Sequence, residues 1–199
     1  MWISKINFCK IYLYENEYEF FSNRRYERID KSLIYFDKVN NNDIKSKEII
    51  TYNDNFQIVI IGKIAILFSD NFIKEYKEVD NINKSIDLML KTINLTDKSI
   101  IKKYLNEVTG NITEIILSQE NYFNYFDSPH LYGSKIQLSE EFETIMDNED
   151  LLINKIKFQL LGNSTITIRD KNLLEFSENT SKQEKILFLN LLGQILNKE

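Results

Sequence analysis

The chain has 199 residues, 43% of them hydrophobic and 28% charged, which is ordinary globular usage and excludes an intrinsically disordered composition. Because it contains one His and one Cys, it cannot supply four Cys and His ligands to a structural zinc ion. A formal net charge of -5 opposes phosphate backbones and anionic membrane surfaces.

The N-terminal third is predicted to be rich in β-structure. Residues 5–14 alternate between apolar and polar types, and residues 48–51 are expected to pair with residues 56–61 as a hairpin. The apolar run over residues 56–68 predicts one central strand, buried on both faces and bent or bulged at Gly62.

The middle of the chain is predicted to be helical. Apolar residues recur at helical spacing from Phe72 to Ile93, with Leu90 on the same stripe, behind an N-cap pattern at Ser69 and Asp70. Residues 98–108 predict a second helix that stops near Gly110. Residues 112–117 are then expected to form a strand, and residues 139–146 a short helix.

The last third predicts a β-hairpin and a closing helix. Residues 155–160 alternate and lead through Gly162 and Asn163 into the β-branched run 165–168. Ser181 and Glu184 have the spacing of a capping box. Apolar residues cover more than half of the helix that follows, so it is expected to close the core of this chain rather than to dock on a partner.

These elements predict an α+β fold in a single domain over residues 1–199, with a possible weak division near residue 69. The first apolar stretch is interrupted by Lys5 and Lys10, and no apolar run approaches the length of a membrane span. The single Cys9 fits a reducing compartment. We therefore expect a cytoplasmic protein without a membrane partner.

One candidate binding loop surrounds the single histidine. Asp127, His130 and Tyr132 stand close to the single proline and to Gly133, directly after an aromatic run at residues 122–126. In a chain that uses His, Pro and Gly so sparingly, their coincidence predicts a loop of defined shape. A rigid turn with a surface His is the favoured interpretation, and a polar binding edge made by these three side chains is the alternative.

A second candidate site is an arginine cluster made of Arg24, Arg25, Tyr26 and Arg28. Lys is the usual cation elsewhere in the chain, whereas the planar guanidinium of Arg grips phosphate or carboxylate and stacks on aromatic rings. Internal salt bridges or chance explain the cluster slightly better than a recognition surface does. Nucleic acid is expected to bind, if at all, only through this local cluster.

Conventional catalytic and cofactor sites find little support. His130 is the only candidate base for a Ser-His-Asp or Cys-His mechanism, and neither a P-loop nor a dinucleotide-binding glycine turn occurs. The Asp/Glu-x-Lys triplets occur at about the frequency expected by chance, and the acidic groups lack the pattern of a calcium loop. We expect no cofactor, no metal site and no catalytic residue, which leaves an enzymatic activity uncertain and disfavoured.

The favoured function is the binding of another protein, in a regulatory, immunity or defence-accessory role. The abundance of Ile, Asn and Lys is typical of an AT-rich genome and indicates a bacterium or a mobile element. A carboxylate-metal phosphodiesterase or a subunit of a nucleic-acid-processing complex is the alternative. A structural subunit that docks through its C-terminal helix is a second alternative, and the sequence does not fix the oligomeric state.

Overall fold

The computed structural model describes residues 8–14, 26–29, 32–37, 48–53, 56–61, 64–69, 90–107, 110–160, 163–170 and 172–197. The strands among them are β1 Phe8–Tyr14, β2 Tyr26–Ile29, β3 Ser32–Asp37, β4 Glu48–Asn53, β5 Phe56–Ile61, β6 Ile64–Ser69, β7 Leu90–Thr92, β8 Asn111–Leu117, β9 His130–Tyr132, β10 Ile153–Gln159, β11 Thr165–Arg169 and β12 Leu173–Phe176. The α-helices are α1 Lys98–Glu107, α2 Glu140–Asp147 and α3 Lys182–Asn197, and short 3-10 helices span Tyr122–Asn124 and Ile136–Leu138. These elements confirm the predicted α+β class.

The chain divides into two compact units. We define the N-terminal unit as Cys9–Ile93 with Ile186–Glu199, and the C-terminal unit as Met1–Phe8 with Asn94–Lys185. The single-domain interpretation stays a prediction.

The N-terminal unit contains antiparallel strands in the order β2-β3-β4-β5-β6-β1, and β7 pairs with the end of β1. The predicted pairing of residues 48–51 with residues 56–61 is confirmed, because Ile49 faces Val59 and Ile50 faces Ile58. The β-rich character of this region is confirmed as well. Strands β2 and β3 were not predicted.

The prediction of one continuous strand over residues 56–68 is wrong. The run forms two antiparallel strands, β5 and β6, in which Ile61 faces Ile64. The two residues between them are Gly62 and Lys63, and a glycine at the first position of a two-residue connection is typical of a hairpin. The predicted burial on both faces holds for the first part of β6, where residues 64–67 are all fully buried.

Residues 70–89, on which most of the predicted first helix falls, lie outside the described residues. Leu90 was placed on that helix, but it begins strand β7, which pairs with β1 through Leu90 and Tyr14. The three-residue spacing of Leu90 and Ile93 fits a helix, since the side chains of a strand repeat every two residues. Pairing of β7 with a strand more than seventy residues away overrides this local pattern.

The C-terminal unit contains an antiparallel sheet in the order β12-β11-β10-β8-β9. The predicted hairpin is confirmed by the register of β10 and β11, in which Ile156 faces Ile168 and Phe158 faces Ile166. Strand β8 and helices α1 and α2 also lie where the sequence predicted them. Helix α2 begins after Ser139, whose Oγ accepts a hydrogen bond of 3.2 Å from the backbone N–H of Phe142.

An aromatic contact joins α1 to this sheet. The rings of Tyr104 and Phe158 lie with centroids 4.5 Å apart at an interplanar angle of 53°. Both side chains are almost completely buried, and burial raises the pKa of Tyr104 far above its usual range. Aromatic rings of this size bury more apolar area than any other side chain, so this contact is a principal part of the core.

We expect Phe158→Ala to lower the free energy of unfolding by about 3–5 kcal/mol, because it removes a fully buried ring and leaves a cavity. Urea denaturation measures the change. Phe123→Ala is the matched control, since the Phe123 side chain is exposed and its loss is expected to cost less than about 0.5 kcal/mol. Equal losses in the two variants would contradict the assigned core.

The predicted capping box of α3 is confirmed. The backbone N–H of Glu184 donates to Ser181 Oγ at 3.2 Å, and the backbone N–H of Ser181 donates to Glu184 Oε2 at 2.7 Å. The other oxygen, Oε1, accepts a 2.5 Å hydrogen bond from the buried Ser164 hydroxyl, which follows the hairpin turn. Burial alone would raise the pKa of Glu184, but the hydrogen bonds from Ser164 and Ser181 outweigh it and hold that pKa below its ordinary value.

The apolar side of α3 is buried within the chain, as predicted. Phe188, Leu189 and Leu192 are among its buried side chains, whereas Leu187 remains exposed.

Glu184→Ala is expected to lower the free energy of unfolding by about 1–2 kcal/mol at neutral pH, because it removes the cap bond from the Ser181 N–H and the bond from the Ser164 hydroxyl. Since the folded pKa is depressed, this stabilisation is present above the ordinary value of 4.5 and is lost as the pH falls through the lower folded value. Thermal melts of the wild type and the variant should therefore converge in acid. Gln183→Ala, an exposed change on the same helical turn, controls for helix propensity, and a difference that persists unchanged at low pH would contradict the assignment.

Asparagine often takes the left-handed backbone conformation in this chain. Asn121, Asn163 and Asn172 have φ of 68°, 67° and 60°, and Lys135 has φ of 61°. Asparagine tolerates this region better than other non-glycine residues. The asparagines therefore serve turns that glycine serves in most chains, in a sequence with only 5 glycines.

Candidate functional site

The sheet of the C-terminal unit has one apolar and one polar face. In antiparallel strands, residues that lie directly opposite each other have side chains on the same face. The buried apolar face consists of Ile112, Ile115, Ile156, Phe158, Ile166, Ile168, Leu174 and Phe176. We call the other side the polar face, and it consists of Glu114, Ile116, His130, Tyr132, Lys155, Lys157, Thr165, Thr167, Arg169, Leu173 and Glu175.

Two ion pairs cross the polar face. Lys155 Nζ lies 2.8 Å from Glu114 Oε2, and these side chains are only 16% and 11% exposed. Arg169 donates to Glu175 Oε2 from Nη2 at 3.1 Å and from Nε at 3.3 Å, with the two side chains more open to solvent. These pairs neutralise most of the charge in the middle of the sheet, so the polar face is not a continuous cationic surface.

His130 and Tyr132 occupy the end of the polar face, on strand β9. They were predicted to belong to a loop, whereas the structure places both on a short strand at the sheet edge, where His130 faces Ile116 and Tyr132 faces Glu114. Tyr132 is 68% exposed, and its hydroxyl lies 3.0 Å from His130 Nδ1. The two rings are tilted with centroids 5.9 Å apart. This pair is an exposed aromatic and polar edge, and its role in binding stays a prediction.

Asp127, the third residue of that predicted edge, is exposed three residues before β9. Among the described residues no hydrogen bond or ion pair joins Asp127 to His130 or Tyr132.

The arginine cluster falls mostly outside what the structure describes. Arg24 and Arg25 lie outside the described residues, while Tyr26 and Arg28 lie on strand β2, facing Tyr35 and Leu33 of β3. The cluster belongs to the N-terminal unit and His130 to the C-terminal unit. The proposed role of these four residues stays a prediction.

Sequence reasoning missed the exposed apolar residues that flank β9. We define the edge segment as residues 121–138, which run from the left-handed Asn121 through β9 to the end of the second 3-10 helix. Seven large hydrophobic side chains are exposed among the described residues, and four belong to this segment: Phe123, Tyr125, Tyr132 and Leu138. The aromatic run before Asp127 was visible in the sequence, but its exposure depends on the sheet placing that run outside the core.

Side chains of neighbouring residues cover part of the backbone at this edge. The backbone N–H of His130 donates to Ser128 Oγ at 3.1 Å. Beyond the end of β9, Gln137 takes the position of a missing strand residue, since its Oε1 accepts from the backbone N–H of Ile112 at 2.9 Å and its Nε2 donates to Asn111 Oδ1 at 3.2 Å. On both sides of Tyr132, therefore, backbone N–H groups at the edge of the sheet have side-chain hydrogen-bond partners.

No group of three or more His, Cys, Asp or Glu side chains that suits a metal ion occurs within the described ranges. Across the same part of the chain, no helix is both long and apolar enough to cross a bilayer.

Comparison of the chain with protein-family models gives no match, and comparisons with curated proteins and with solved structures give none either.

The two ion pairs of the polar face are expected to differ in strength because they differ in burial. A double-mutant cycle with Glu114→Gln and Lys155→Met should give a coupling of about 1–3 kcal/mol, since removing one partner leaves a mostly buried charge without its counter-ion. The matched cycle with Arg169→Met and Glu175→Gln should give about 0.2–1 kcal/mol, as more exposed pairs do. Urea denaturation of the variants measures both couplings, and equal values would contradict this ranking.

Proposed function

We propose that this chain acts by binding another protein, and that the edge segment supplies the contact surface. The observation that supports the proposal is the concentration of exposed aromatic and aliphatic side chains in residues 121–138. Scattered exposed apolar residues are normal on any protein, but a group of them on one short segment is typical of an interaction site.

The chemistry of this segment suits protein recognition. Tyrosine combines a large apolar ring with a polar hydroxyl and is enriched at the energetic centres of interfaces. Phe123, Tyr132 and Leu138 are each about two-thirds exposed or more, so each can bury substantial apolar area in a complex. His130 and Ser128 add polar groups at the rim of the same segment.

The charge of the chain favours a basic protein as partner over nucleic acid. A net charge of -5 repels phosphate and attracts a cationic surface over several ångströms at moderate salt. The polar face does not reverse this preference, because two of its three Lys and Arg side chains, Lys155 and Arg169, are paired with carboxylates. If the chain binds nucleic acid, we propose that it does so only through the arginine cluster of Arg24, Arg25, Tyr26 and Arg28.

The wider role belongs to the same proposal. Composition favours a bacterial or mobile-element source, and an acidic protein that blocks or recruits a basic partner suits a regulatory, immunity or defence-accessory function. We also propose an intracellular location, supported by the single cysteine, Cys9, which is buried in strand β1.

Affinity purification of the tagged 199-residue chain from its source cells tests the proposal with two leucine variants. Leu138 and Leu187 are 77% and 67% exposed, but only Leu138 belongs to the edge segment. We expect the wild type and Leu187→Ala to recover one stoichiometric protein, and Leu138→Ala or Tyr132→Ala to recover about tenfold less, as substitutions at interface centres do. Quantitative mass spectrometry measures the recovery.

Equal recovery by Leu138→Ala, Tyr132→Ala and the wild type would contradict the edge segment as the contact surface. Arg28→Ala provides the parallel test of the arginine cluster. If Arg28→Ala alone abolishes recovery, the contact surface lies in the N-terminal unit instead.

A further inference from the structure

The pattern of hydrogen-bonded and non-bonded residue pairs between β8 and β9 determines which backbone groups of the edge strand β9 face away from the sheet. The backbone N–H of Leu117 donates to the Pro129 carbonyl at 2.9 Å, and that of Gly133 donates to the Thr113 carbonyl at 3.3 Å. Hydrogen-bonded and non-bonded pairs alternate along an antiparallel ladder. Because these two bonds flank β9, Leu131 directs its backbone groups to β8, whereas His130 and Tyr132 direct theirs away from it.

Among the described residues, none bonds the outward N–H or C=O of Tyr132, which is the one residue of β9 with both groups open. The outward N–H of His130 already donates to Ser128 Oγ, which leaves only its carbonyl. No other described residue bonds the backbone N–H of Tyr132, and Gln137 covers β8 only beyond the point where β9 ends. An open N–H and C=O on one residue form the pair of groups that an added strand bonds.

We propose that an extended segment of the partner protein adds to the sheet alongside β9 and pairs with the backbone of Tyr132. This inference rests on the proposed function and specifies how the partner is held. The backbone groups at this edge complement a peptide backbone, and the acidic charge of the chain disfavours nucleic acid there.

The register specifies the side chains of the added segment. Side chains opposite His130 and Tyr132 lie on the polar face, next to two exposed rings, and are polar, basic or aromatic. A side chain opposite Leu131 lies on the apolar face, where Leu131 is only half-buried beside Ile115, and is apolar. The partner segment therefore alternates, with one apolar residue between two polar or aromatic ones.

Short random peptides displayed on phage and selected on the immobilised full-length chain provide the probe. The tightest peptide is synthesised, and its dissociation constant is measured by fluorescence polarisation with the wild type, Tyr132→Ala and Tyr132→Pro. Proline removes the outward N–H but no bond to β8, and edge strands accept proline at such positions. We expect Tyr132→Pro to bind about tenfold more weakly than Tyr132→Ala, which keeps the N–H.

A second measurement leaves the protein unchanged and so does not depend on the folding of a variant. Peptides methylated at one backbone nitrogen at a time should lose affinity only at alternate positions, because every second N–H of an added strand faces β9. Loss at alternate positions supports strand addition. Loss at no position, or without this period, overturns it.

The outcomes separate the two proposals. If Tyr132→Ala and Leu138→Ala weaken the peptide but neither proline nor methylation adds to the loss, strand addition is wrong and the contact surface stands. If no selected peptide depends on these residues, both are wrong at this surface. If light scattering shows a dimer that Tyr132→Pro dissociates, a second copy occupies the edge and the inferred partner segment is wrong.

Discussion

The core of the C-terminal unit depends on the contact of Tyr104 with Phe158, through which helix α1 covers one face of the sheet. Because β-strand side chains alternate, burying Phe158 and Ile156 on that face forces Lys155 and Lys157 onto the other. The burial of this face determines the position of the groups on the other side. They are the two ion pairs, the adjacent rings of His130 and Tyr132 and the outward backbone groups of β9. A slip of one residue in the register would exchange the two faces and destroy the core and the edge together.

Local patterns predicted the elements of the C-terminal unit well. The alternation of residues 155–160, the capping box of Ser181 and Glu184 and the short helix over residues 139–146 each depend on neighbours within a few positions. Residues 56–68 were misjudged because the two-residue turn between β5 and β6 was missed within one apolar run. Leu90 was misjudged because its conformation is decided by pairing with a distant strand. The composition added to the difficulty, since an isoleucine-rich run suits a strand, a hairpin and a helix almost equally.

The candidate site was predicted only in part. His130 and Tyr132 were selected because rare residue types coincide in one stretch, and the structure brings their side chains together. Their position on an edge strand could not be predicted from the sequence. Strand β9 has only three residues, directly after a proline, and three residues are too few to show the alternation of a strand. The exposure of Phe123 and Leu138 could not be derived either. From sequence alone an apolar residue is predicted to be buried, and only the fold shows that these two lie outside the core.

The left-handed asparagines have a consequence for how this chain tolerates change. At Asn121, Asn163 and Asn172 the backbone already occupies a region that β-branched side chains avoid. A saturation library should therefore accept glycine and aspartate there and reject valine and isoleucine, although isoleucine is abundant elsewhere in the sequence. The side chain that this sequence uses most freely in its strands is therefore the one that these three turns exclude.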